Sequence, residues 1–173
     1  PVLWRIFLKA PRLHQSKRFT LKHELAHLQL GELAHPHRVP RWFNEGAAIL
    51  LAGETQHIEP ALISRAMATN SLLTFDDLEA LLAFPNEKAS LAYSESYHAV
   101  NFLTRRFGFA AIRDFAQALA QQAEPRAAFQ NAFEEDLWDF EVAYFDYVRK
   151  NFRWYFIWDE SILWGAGIFL LFM

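Results

Sequence analysis

The sequence predicts one mainly α-helical domain followed by an apolar terminal segment. Three observations carry this. Apolar residues recur at helical spacing over most of the chain, Gly and Pro stand where helices would stop or start, and neither a repeat nor a low-complexity linker interrupts the 173 residues. That length suits a single domain. With 53% hydrophobic and 21% charged residues it can bury a core, which excludes general disorder. The 16% of aromatics, six Trp and seventeen Phe among them, points to large apolar surfaces.

In chain order, residues 2–8 (VLWRIFL) read as a short strand, and both ends of the sequence read as cut. A helix is expected over 17–30, with Ser16 as N-cap and Gly31 just past its end. Residues 34–41 carry two prolines and form a loop. A second helix opens at Arg41–Trp42 and stops before Gly53, and Pro60 suits the first turn of a helix over 60–69. Thr74 caps a helix reaching Phe84, with Asp77 at the capping-box position. A long helix over 87–107 ends at Gly108, and further helices cover 109–122, 125–133 and 135–152, the last capped within Glu134-Glu135-Asp136.

Residues 1–152 thus form the domain and 153–173 an aromatic and apolar tail. Residues 161–173 (SILWGAGIFLLFM) carry no charge. Thirteen residues are short of the roughly 20 that span a bilayer, so this reads as the start of a membrane helix, with a buried terminal helix as the alternative. Trp154, Tyr155, Trp158 and Trp164 would form its interfacial belt. Arg149, Lys150 and Arg153 ahead of the tail would favour a cytoplasmic domain by the positive-inside tendency.

Charge and composition narrow the chemistry. A net charge of −3 argues against nucleic-acid binding through phosphates, and so against a DNA-associated enzyme. There is no Cys, so any metal must be held by His, Asp or Glu.

Residues 23–27 read His-Glu-Leu-Ala-His. Positions four apart on a helix share a face, so His23 and His27 can each give a nitrogen to one metal ion. Glu24 can reach a water on that ion without ligating it. Seven His in this chain predict roughly 0.02 chance occurrences of the pattern. Phe19, Leu21, Leu25, Ala26, Leu28 and Leu30 surround the motif on several faces, which predicts a buried helix, and a buried His-Glu-His needs partners. Arg41-Trp-Phe-Asn-Glu-Gly-Ala-Ala48 then opens the next helix, placing Glu45 in its first turn as a third ligand or, alternatively, as a carboxylate favouring a helix N-terminus. Gly46 would let another backbone or a substrate come close.

HELAH followed by WFNEGAA resembles the gluzincin zinc metallopeptidases, most nearly the peptidase MA-like families, and the second motif is similar to the WLNEG segment of zinc aminopeptidases. The resemblance extends loosely to residues 91–108. It implies a zincin-like fold, zinc held by His23, His27 and Glu45, Glu24 as general base, and a peptide or protein substrate. It also implies a domain outside the cytoplasm, anchored at its C-terminus. Two departures stand out. The 17 residues between His27 and Glu45 are one fewer than in the aminopeptidases, and the Gly-x-Met-Glu-Asn exopeptidase signature is absent. Thermolysin-type enzymes carry Asp where this chain has Ile49, so the partners that would orient the zinc histidines are not identified.

A hydrolytic site also gains from a donor aimed at the developing oxyanion. Tyr93 is the choice, with an aromatic core stripe shared with Tyr97 as its alternative, and with His98 as a second candidate. His35 and His37 read as solvated loop residues, and His14 and His57 as surface. The expectation is a zinc peptidase; the rival is a non-catalytic zincin-like domain that binds a partner, with or without zinc.

Overall fold

The computed structural model describes residues 15–55 and 58–153, and these are helical with no strand among them. The helices are α1 (Gln15–Ala34), α2 (Arg41–Ala52), α3 (Pro60–Ala68), α4 (Phe75–Leu78), α5 (Asn86–Phe107), α6 (Ala111–Gln121), α7 (Pro125–Phe133) and α8 (Leu137–Phe152). The expected strand at 2–8, the tail 154–173, His14 and His57 lie outside the described residues. Among those described, no helix is long and apolar enough to cross a membrane.

Most boundaries follow from local chemistry. Gly53 ends α2 in the left-handed region at φ 71°, and its N–H donates to Leu50 O while Glu54 N–H donates to Ile49 O. That pair of bonds is a Schellman motif, which only a residue tolerant of positive φ accommodates well. Pro60 begins α3, and Thr74 and Asp77 form the expected capping box. Asp136 caps α8 by accepting from Trp138 N–H.

Three expectations fail. Ser16 does not cap α1 but lies within it, because the helix already includes Gln15. Gly31 does not end α1, which continues through Glu32, Leu33 and Ala34, good helix formers, until Pro36 restricts the residue before it. The helix over 75–84 breaks into α4 and a 3₁₀ turn at Leu81–Ala83. Leu78 and Leu81, three apart, are both buried, and 3₁₀ winding brings such residues into line.

Aromatic side chains fill the core. Trp42 stacks on Phe75 at 4.2 Å, Phe43 meets Phe115 edge-on at 4.8 Å, and Phe129 and Phe140 pack 5.0 Å apart. Elements α2, α4, α6, α7 and α8 thereby share one apolar interior. Burial of α1 is one-sided: Ala26, Leu30 and Ala34 are buried, Leu21 and Leu28 half-buried, and Leu25 is 43% exposed. The sequence expectation of burial all round is therefore wrong, because the apolar residues outside the Ala26–Leu30–Ala34 stripe lie at its margins or in solvent.

Helix α5 crosses α2 at Gly46. A Cβ there would stand 2.1 Å from Ser96 O and 2.8 Å from Val100 Cγ2, so the glycine admits a neighbouring backbone. This close approach holds α2, and the carboxylate that precedes Gly46, firmly in place.

Candidate metal centre

Helices α1 and α2 lie side by side and antiparallel. His27 meets Asn44, His23 meets Glu45 and Glu54, and Phe19 lies near Gly53. His23 and His27, one turn apart, bring their ring centroids to 4.7 Å with the planes 80° apart. Glu45 sits at the fifth position of α2, just past the first turn where the sequence placed it, and is 7% exposed. Placement past the first turn removes the helix-dipole explanation for this carboxylate.

Glu45 Oε2 is 3.7 Å from His23 Nε2 and 3.6 Å from His27 Nε2. The candidate ligand atoms of the three residues all lie within 4.8 Å of one another. A tetrahedral ion with bonds of about 2.1 Å sets its ligands about 3.4 Å apart, so the cluster needs only small adjustment to close on one. Two imidazole nitrogens and a carboxylate oxygen also match the donor set of catalytic zinc, with one position left for water or substrate.

The outward nitrogens complete the arrangement. His27 Nδ1 lies 3.0 Å from Asn44 Oδ1, an oxygen that only accepts, so the ring proton belongs on Nδ1 and the Nε2 lone pair faces Glu45. His23 Nδ1 lies 3.1 Å from Glu54 Oε2. Glu45 Oε1 has Arg41 Nη1 at 3.8 Å. The Glu45 carboxylate beside its ring pushes the His23 pKa upward against the opposing effect of burial, and Glu54 and Glu24 add to the rise. A site so rich in carboxylate favours a cation.

A cavity of about 410 Å³ opens over this cluster, with His23, Glu24, Glu45, Glu54 and Tyr93 in its wall beside the apolar Ile49 and Ile58. Glu24 is exposed and lines the cavity without joining the ligand cluster. Tyr93 reaches the same wall from α5; burial raises its pKa, the Glu45 charge raises it further, and Arg41 opposes both.

Other candidates lie elsewhere. Tyr97 does not line the cavity and packs edge-on to His98 at 5.0 Å. His98 is buried against Phe152 and does not line the cavity, and burial lowers its pKa to about 4. His35 is exposed and His37 half-buried, and neither lines the cavity.

A family model of the peptidase MA superfamily matches residues 6–150. The chain belongs to the peptidase MA superfamily. Membership agrees with the helical domain and suggests protease-type chemistry. The chain is also similar to the uncharacterized protein YhcO of Bacillus subtilis (strain 168), at 26% identity over 133 residues, which is 75% of this chain and 39% of that protein. It therefore spans well under half of that relative's length. No solved structure gives a significant match.

Within this superfamily domain, the sequence reading passed over Asn44, Glu54 and Arg41. Asn44 carried a signal, since it stands inside the quoted motif directly before Glu45. Glu54 carried none, because its approach to His23 depends on how the chain turns after α2.

Proposed function

We propose that this domain is a zinc-dependent peptidase, in which His23, His27 and Glu45 hold the ion. The observation that carries the reading is the convergence of Glu45 Oε2 on both Nε2 atoms, with Glu24 and Tyr93 in the wall of the same cavity. When bound there, zinc polarises a scissile carbonyl and lowers the pKa of a water towards 7. Glu24 takes the proton of the attacking water and later delivers it to the departing amine. Tyr93 O–H donates to the oxyanion as it develops. Ile49 and Ile58 supply an apolar wall beside the reacting groups, and the substrate is a peptide or protein.

The test compares wild type with Glu24→Gln and Glu45→Ala for zinc content and for digestion of a broad peptide library. Wild type should bind one zinc and cleave. Glu24→Gln should keep the metal and lose turnover by about 10²–10⁴-fold, the usual contribution of a general base, and Glu45→Ala should lose both. Zinc binding without cleavage of any peptide by wild type overturns the peptidase reading in favour of a binding domain. Wild-type turnover in Glu24→Gln overturns the mechanism.

A further inference from the structure

The metal histidines need their outward nitrogens held, and the position that supplies a carboxylate for this in thermolysin-type enzymes is Ile49 here. We infer that Glu54, outside both motifs, is the residue that orients His23. This rests on the zinc reading above and deepens it.

The argument begins at the end of α2. The Schellman motif at Gly53 reverses the chain, and Glu54 is the residue that follows, its own N–H bonded to Ile49 O. The reversal brings its side chain against α1, where Oε2 stands 3.1 Å from His23 Nδ1. His23 Nδ1 is buried and makes no well-aligned hydrogen bond, so this carboxylate is the acceptor available to it among the described residues. An ionised carboxylate only accepts. The contact therefore places the imidazole proton on Nδ1 and leaves the Nε2 lone pair directed at Glu45. Asn44 does the same for His27 with a neutral oxygen, so the two ligands are oriented by different chemistry.

Among the described residues, His23 is the partner that accounts for Glu54. Glu54 caps no helix among them, and its ion pair is with His23. Its side chain is 22% exposed and meets the ligand cluster through His23. Glu54 is thus a positioning residue: it acts on the ion through His23, not by contact with substrate.

Zinc affinity, measured by competition with a chromophoric chelator, tests this on the full chain as wild type, Glu54→Ala and Glu54→Gln. Outer partners of metal histidines are worth about 10–100-fold in affinity. Glu54→Ala should bind zinc that much more weakly, and Glu54→Gln, which keeps an acceptor oxygen without the charge, should fall between it and wild type. Thermal midpoints of the metal-free proteins should agree within a few degrees, which a purely structural role would not allow. Wild-type affinity in Glu54→Ala overturns the inference while leaving the zinc site intact. Failure of wild type to bind zinc at all overturns the zinc reading and this inference with it.

Discussion

The backbone amide of Arg41 donates to Glu79 Oε1 at 2.7 Å, across 38 residues of chain. Pro40 precedes α2 and offers no side-chain acceptor, so the first turn of the helix that carries Glu45 is closed from α4's far end. Trp42 N–H contributes to the same carboxylate. Because losing a helix cap costs about 0.5–2 kcal/mol, Glu79→Ala should lower stability by that amount. Hydrogen exchange should quicken at the Arg41 and Trp42 amides first. Unchanged exchange at Arg41 would show that the cap does not matter in solution.

Gly46 sits where α2 and α5 touch. The Cβ of Gly46→Ala would meet Ser96 O at 2.1 Å and Ser96 C at 2.6 Å, both backbone atoms. Overpacking of this kind costs about 3 kcal/mol, or about 10 °C in thermal midpoint for a domain of this size. Shortening Val100 should not rescue the variant, since the tightest contacts are with main chain. Rescue by Val100→Ala would mean that the helices can part more easily than the geometry allows.

Glu95 is fully buried on α5, and its carboxyl accepts Leu73 N–H at 3.0 and 3.2 Å. Burial pushes its pKa up to about 8, with Asp77 and Glu141 adding to the rise and the Leu73 hydrogen bond opposing it. A carboxyl raised in the folded state stays protonated while its unfolded counterpart ionises, so the folded chain binds more protons between about pH 4.5 and 8. Stability from this group must therefore fall as pH rises through that window and level off above it. Glu95→Gln keeps an acceptor for Leu73 N–H and has nothing to ionise. Its stability advantage over wild type, from urea unfolding, should grow between pH 5 and 8. A pH-independent difference would contradict the burial argument.

Tyr93 shares the cavity wall with Glu24 and Glu45. If its hydroxyl serves the oxyanion, Tyr93→Phe should cut kcat by about 10²-fold, the usual loss for one such donor. KM and zinc content should remain close to wild type. Equal loss of zinc and activity would instead make it a packing residue of the site.

The candidate ligand pair on α1 was legible because its relation is local. Helical rotation puts His23 and His27 on one face whatever surrounds them, and the capping signals at Gly53, Pro60 and Thr74 acted within a few residues in the same way. Glu45 was legible through its motif, although it falls just past the first turn of α2 rather than within it. Gly31 misled because a glycine signals a helix end only when the residues after it also leave the helix, and Glu32, Leu33 and Ala34 do not.

The sequence alone determined a helical domain with two imidazoles and a carboxylate on neighbouring helices, since spacing and local propensity decide those. Only the tertiary structure decided what orients them. Glu54 reaches His23, Glu79 caps α2 and Ser96 presses against Gly46 through contacts between segments distant along the chain. Side chains of ordinary type meet there because helices pack around one aromatic core, and no local pattern records where such a meeting falls.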